Sequence, residues 1–255
     1  MLAHAEYEPS QPLLVIVGNY GSGKTEVSVN LALDLAARSR KVSIADLDIV
    51  NPYFRCREAT AEMEERGVHV IVPRGEFHAA DLPILLPEVR GTIMAGADVA
   101  ILDVGGDDAG ARILGTLADS ITSVPYAMLQ VVNERRPFTD TVAGCTKIMR
   151  EIEAASKLRV TGLVSNTHLM DDTDVATVQR GYAFAAEVGR ASGLAVAFVA
   201  ADRSILQQIE PAALDSTPVL GIERRMLPPW YLRSRRTDKA ARVLLRGERP
   251  GQPRT

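Results

Sequence analysis

The sequence predicts an α/β fold, a mostly parallel β-sheet with helices on both faces. Short, almost wholly apolar runs alternate with longer helical stretches from residue 13 to about residue 200. Strands buried on both faces read this way, and parallel sheets are the ones so covered. Polar clusters fall at the ends of those runs, after Val17, Ala45, Leu102, Val132 and Val164, where ligands gather in such sheets. The chain has 255 residues, 46% of them hydrophobic and 24% charged, enough to bury the core of one large α/β unit.

The elements follow in order. Leu13–Val17 is a strand, and the alanine-rich run to Ala37 a helix. Val42–Ala45 is a strand ending at Asp46. A helix is expected over Phe54–Glu65 and an apolar run over Val68–Val72, before a proline-broken loop with one short turn, Pro73–Pro87. Val99–Leu102 and Ala127–Val132 are strands. Thr139–Ser156 is a helix, with Thr139 or Asp140 as its cap. Strand Val160–Val164, helix Val175–Ser192 and strand Ala195–Val199 complete the pattern. No repeat or low-complexity segment occurs, and no linker before Leu227-Pro228-Pro229. The expected organisation is an extension over 1–12, one domain over 13–226 and a basic tail over 227–255.

The first strand runs into Gly18-Asn19-Tyr20-Gly21-Ser22-Gly23-Lys24-Thr25. Strand, G-x-x-x-x-G-K-T and helix in succession make the phosphate-cradling loop of P-loop nucleotidases. Its three glycines let the backbone curl so that successive N–H groups point at anionic oxygens. Lys24 supplies a cation at the β- and γ-phosphates, and the Thr25 hydroxyl is a hard ligand for Mg2+. The helix presents its positive end to the same oxygens. Gly18 through Glu26 are therefore the expected binding residues for a nucleoside triphosphate, and the fold that of a P-loop NTPase.

Two acidic clusters accompany this loop. In Asp46-Leu47-Asp48 one carboxylate can hold Mg2+ through a water while the other orients or deprotonates an attacking water. A turn that caps a helix is the competing reading. Val99-Ala100-Ile101-Leu102-Asp103 is a buried strand ending in an acid, as in a Walker B element, and Asp103 is expected to support Mg2+. Asp103-x-x-Gly106 is also the spacing of a switch whose glycine N–H touches the γ-phosphate. A hairpin at Gly105-Gly106 competes, but no complementary strand follows closely.

These motifs, in this order, resemble the MinD/ParA/CobQ-like group of P-loop nucleotidases. Gly18 to Glu26, Asp46 to Arg55 and Asp103 to Asp108 are most similar to a bacterial ATP-binding subfamily of that group, and the likeness covers about Leu13 to Ala201. The resemblance implies that Lys24 binds phosphate and acts in catalysis, that Thr25 binds Mg2+, that Asp46 supports the metal, and that Asp48 positions water. It also implies that Gly106 senses the γ-phosphate and that Asn166 reads the base. Asn offers a donor and an acceptor, as the adenine edge requires. A guanine reader would be N-K-x-D, whereas Thr167, His168 and Leu169 follow here. ATP with Mg2+ is thus the expected cofactor pair. A turn asparagine remains the plain alternative.

The chain departs from the group at several points. MinD and ParA carry a lysine after the first P-loop glycine that reaches a partner's nucleotide, and here it is Asn19. Glu26 stands where a second hydroxyl often follows the threonine. Neither a MinD-type C-terminal amphipathic helix nor the C-x-x-C of the iron–sulfur relatives is found. The expectation is a Mg-ATP-dependent ATPase switch in which ATP closes a homodimer and an unknown partner protein reads the state. The alternative is an ATP-dependent small-molecule enzyme of the CobQ/dethiobiotin synthetase type, its acceptor pocket around Pro73-Arg74-Gly75-Glu76-Phe77-His78.

No apolar run approaches the ~20 residues of a membrane helix, and the acidic N-terminal stretch is unlike a signal peptide. Cys56 and Cys145 are far apart and suit buried thiols in a reducing cytoplasm. The net charge is −3, yet residues 224–255 hold ten Arg and Lys against two acids. Such a tail could contact nucleic acid, an anionic membrane or an acidic partner, or clamp the chain's own acidic surface. Without aromatic–basic interleaving, the last is favoured. Arg55 and Arg57 are weaker phosphate candidates, and His69, His78 and His168 lack metal-ligand spacing.

Overall fold

The computed structural model describes residues 4–48, 59–72, 82–94, 97–106 and 108–225. Eight strands form one sheet: β1 (Leu13–Val17), β2 (Val42–Leu47), β3 (His69–Ile71), β4 (Val99–Val104), β5 (Tyr126–Val132), β6 (Gly162–Ser165), β7 (Val196–Asp202) and β8 (Val219–Ile222). Their order is β3-β2-β4-β1-β5-β6-β7-β8, and every neighbouring pair is parallel. The helices are α1 (Lys24–Ala37), α2 (Thr60–Glu65), α3 (Leu82–Met94), α4 (Asp108–Thr122), α5 (Val142–Ser156), α6 (Val175–Ser192) and the single turn α7 (Arg203–Leu206).

Alternation along the strands divides the core into two layers. Leu14 and Ile16 pack with Val27, Leu31 and Leu35 of α1 and Met63 of α2. Leu13, Val15 and Val17 point the other way, toward Val89 and Ile93 of α3, Leu114, Leu117 and Ile121 of α4, and Cys145 and Met149 of α5. β1, β2 and β4 are buried at every position, which is why they read as continuous apolar runs. Each such Leu or Ile contributes about 1.5–3 kcal/mol by leaving water. The thiol of Cys145 is buried too, and burial, helped by Asp140, pushes its pKa up to about 12.

Several elements differ from the sequence reading. The stretch 82–87, read as loop, is the start of α3, with Pro87 inside the helix. Pro83 lies in the first turn, where no backbone bond is lost. Pro87 forfeits one, and burial of Val89 and Ile93 outweighs that local preference. No helix was expected over α4 and no strand over β8, although both are regular. The cap of α5 is Thr141, whose hydroxyl accepts from Gly144 N at 3.1 Å, rather than Thr139 or Asp140. Thr139 donates instead to the Asn133 carbonyl. The extension is joined to the sheet: Tyr7 N donates to Val219 O, Val219 N to Ala5 O, and the Tyr7 ring packs on Phe198.

Strand order places the site. From the central β1 the chain goes to β2 and β3 on one side and returns through β4 next to β1. It then builds β5 to β8 on the other side. Ligands of open α/β sheets bind at such a reversal, beyond the carboxyl ends of the strands. The loops after β1, β4, β5 and β6 meet there, with Asp48 at the end of β2. Among the described residues no helix is long and apolar enough to cross a membrane.

Candidate functional site

The loop after β1 has the backbone its glycines were expected to permit. Gly18 has φ 145°, and a β-carbon there would lie 2.7 Å from the Val131 carbonyl oxygen. Gly23, at φ 90°, caps α1 in the left-handed region, and a β-carbon there would strike the Asn166 amide. Ser22 N donates to Asn19 O at 3.2 Å, closing the curl. The first N–H groups of α1 have no acceptor within the helix and converge with the curl, so the turn is built for an anion. Lys24 is buried, with Nζ 3.1 Å from the Asn19 carbonyl. Tyr20 projects outward, 65% exposed.

Beside Lys24 lies a corner of carboxylates. Asp46 and Asp103 are register partners at the ends of β2 and β4, and both are fully buried. Asp46 Oδ1 accepts from Asp48 N at 3.0 Å, so the D-x-D is also the turn that local chemistry favours, and it holds the Asp48 side chain buried. Asp103 Oδ1 accepts from Ser28 Oγ at 3.0 Å, while Oδ2 is buried without an ordinary hydrogen bond. Burial pushes the Asp103 carboxyl up to about 6. The Thr25 and Ser28 hydroxyls and the Lys24 ammonium oppose that rise, and Asp48 adds to it. Buried carboxylate oxygens next to a threonine hydroxyl, with Asp103 Oδ2 short of a donor, are the hard set that suits Mg2+. Gly106 closes the corner. A β-carbon on it would lie 2.7 Å from both Lys24 Nζ and Tyr20 N, so the loop after β4 rests against the P-loop.

On the opposite flank, Asn166 is buried after β6 and donates from Nδ2 to Ser22 O at 2.8 Å. One amide N–H and the carbonyl remain beyond that brace. His168 follows, and its Nε2 would lie 3.6 Å from a Gly23 β-carbon. Burial, then Arg136 and Arg224, lower its pKa to about 4. Glu26 is engaged elsewhere: its Oε1 accepts from Arg225 N at 2.7 Å and from Asn30 Nδ2 at 3.2 Å. Arg225 also bonds Asn30, Glu223 and Glu62. Glu26 thus joins the first turn of α1 to the segment after β8, and any share it has in phosphate binding falls to its backbone N–H.

Some predicted positions lie outside the described residues: Ile49 to Arg57 with Cys56, residues 73–81 with His78, Asp107, and the tail from 226. His69 is in β3 and makes no metal cluster. Among the described residues no group of three or more His, Cys, Asp and Glu could hold a metal. The sequence reading missed Ser28, three residues beyond Thr25 and one helical turn behind it. It placed the run Asn133 to Thr139 near the site but gave no role to Arg136, whose Nε donates to Gly21 O at 2.9 Å.

The architecture matches solved structures across most of its length. The cell division protein FtsY of Thermotoga maritima aligns with TM-score 0.53 and 21% identity, covering 82% of this chain and 69% of that one. Chloroplast FtsY of Physcomitrella patens gives 0.52 and 21%, over 83% and 67%. The signal recognition particle 54 kDa protein of Aeropyrum pernix, in complex with GDP, gives 0.54 and 19%, over 95% of this chain and 55% of that one. This chain has the P-loop NTPase fold. At these identities the likeness carries the fold alone and does not show the finer resemblance to MinD and ParA. No family model and no curated protein matches the chain.

Proposed function

We propose that this protein is a Mg-ATP-binding P-loop ATPase that acts as a nucleotide-dependent switch. One observation carries the reading: Lys24, Asp103 and Gly106, from two separate loops, meet at one corner where Asp46 of a third is in register. The phosphates lie on the N–H groups of residues 18–26, with Lys24 at the β- and γ-positions. Thr25, Asp46 and Asp103 would hold Mg2+, which when bound neutralises phosphate charge. Asp48 orients the attacking water. Gly106, packed on Lys24, gives the loop after β4 a contact that differs between triphosphate and diphosphate, the differential energy a switch requires.

Adenine preference rests on Asn166, whose free N–H and carbonyl can pair with an adenine edge, and on the lack of an aspartate three residues later. The GDP complex of the signal recognition particle protein makes the guanine alternative the one to test. The homodimer part is supported by the exposed large hydrophobics among the described residues. Tyr20, Phe138, Leu169 and Met170 all lie on loops of the nucleotide edge.

Phosphate release and molar mass, measured together with Mg-ATP or Mg-GTP and no acceptor, test the proposal. ATP turnover with ATP-dependent dimerisation is expected. In Asp48→Asn, binding persists and hydrolysis falls by about 10²–10⁴-fold. Equal displacement of labelled ATP by cold GTP removes the adenine reading. A molar mass fixed at 27.6 kDa in all states removes the dimer. Turnover that appears only with an added acceptor favours the small-molecule enzyme.

A further inference from the structure

The loop between β5 and α5 is the candidate the structure carries furthest. It is a compact turn. Asn133 is fully buried, its carbonyl accepts from Arg136 N at 3.2 Å and Thr139 Oγ1 at 3.0 Å, and its Oδ1 accepts from Arg135 N at 3.0 Å. Thr139 N returns to the Arg136 carbonyl, and Glu134 N donates to Thr167 Oγ1 beside Asn166. Two bonds then fasten it to the P-loop: Asn19 Nδ2 to the Pro137 carbonyl at 3.0 Å, and Arg136 Nε to the Gly21 carbonyl at 2.9 Å.

The Arg136 side chain runs along Gly21, where a β-carbon would lie 3.7 Å from its Cδ and Nε. A guanidinium has five N–H donors in one rigid plane, and Nε uses one. Among the described residues, neither terminal nitrogen has a hydrogen bond or ion pair. A permanent cation with four spare donors is therefore held at the lip of an anion site by a turn that fixes its backbone. Its charge reaches the adjoining loop after β6, where it adds to burial in depressing His168. Among the described residues Lys24 is the one cation within the P-loop run 18–26, and a magnesium triphosphate keeps more negative charge than one lysine neutralises.

Resting on the nucleotide reading above, we propose that Arg136 is a second phosphate-binding cation, supplied in cis. It grips the Gly21 carbonyl with Nε and presents Nη1 and Nη2 to the phosphate chain. The pairing is the planar, charge-assisted kind for which arginine is suited.

The experiment is titration of Mg-ATP into the full chain and into Arg136→Ala, Arg136→Lys and Arg136→Gln, at low and high salt, with melting of each nucleotide-free protein. Loss of one hydrogen bond to a charged group predicts about tenfold to a hundredfold weaker binding for Arg136→Ala, with the loss shrinking at high salt. Lys, which restores charge, should recover part of it. Gln, which restores only a neutral donor, should not. Wild-type affinity in Arg136→Ala would overturn the proposal. So would recovery by Gln rather than Lys, which would make the residue a clamp for the turn. If Arg136→Ala does not fold, the Lys and Gln pair decides alone. A wild-type chain that binds neither Mg-ATP nor Mg-GTP overturns the nucleotide reading and this one with it. A wild type that binds, with variants that bind equally, removes Arg136 alone.

Discussion

The two ends of the sheet handle charge in opposite ways. At the amino end, around the start of β1, β2 and β4, the charges are paired and partly solvated. Arg38 meets Glu6, Glu8 and Asp34, Arg40 meets Glu8 and Asp98, and the Asp98 carboxylate accepts from Lys41 N. At the carboxyl end, Asp46, Asp48 and Asp103 are buried near one another, with Lys24 among them, while Tyr20, Phe138, Leu169 and Met170 stand exposed. The first end follows the ordinary rule, and the second inverts it. Like charges brought together inside a protein raise its energy, so a fold that keeps them there is completed by something it binds.

The sharpest test of this contrast is Lys24→Ala. The fold should survive, because the core layers on either side of the sheet do not use the ammonium. Triphosphate binding should be lost altogether. Calorimetric titration of the folded variant decides it, and wild-type affinity would break the contrast at its centre.

Asp103→Asn sharpens it from the other side. The substitution keeps an acceptor for Ser28 and removes one of the facing buried charges. It should stabilise the nucleotide-free protein by about 0.5–2 kcal/mol, the usual scale of a relieved functional strain, and weaken binding of the magnesium complex. Urea unfolding with a titration measures both. A variant that loses stability and keeps Mg2+ dependence would show that Asp103 serves the fold.

Acid should act on the same flank. The folded pKa of His168, about 4, lies below its ordinary 6.5, so its contribution is complete above pH 6.5 and is lost as pH falls toward 4. His168→Asn should flatten the stability profile within that window alone. An unchanged slope would place the acid response elsewhere.

What could be read from the sequence was what lies together in it. β1, the curl after it and α1 form one continuous signal, and each acidic cluster follows its own apolar strand. α4 was equally legible, since Ile113, Leu114, Leu117, Ala118 and Ile121 repeat at helical spacing and all are buried. α3 was hidden by Pro87, whose local cost is outweighed by packing. Arg136 and Asn133 carry no such pattern. Their place depends on β5 lying next to β1, a neighbour relation set by the whole sheet. The same holds for Asn166. Its position at a strand end was readable, but its bond to the Ser22 carbonyl spans 144 residues.

The smallest expected effect belongs to the amino end, and it tests whether the two ends are independent. α1 runs from Lys24 at the nucleotide edge to Ala37, and Arg38 caps its far end, so one helix of about 21 Å joins them. Arg38 is about one-quarter exposed and bonds the Tyr7 carbonyl as well as three carboxylates. Arg38→Ala should cost about 0.5–1 kcal/mol, less at high salt, as solvated ion pairs do. ATP affinity should stay unchanged, because loss of a solvated pair shifts no backbone at the opposite end of a packed helix. Urea unfolding at two salt concentrations, beside one titration, measures both quantities. If affinity falls with stability, α1 transmits between the ends, and the paired charges at its far end belong to the switch.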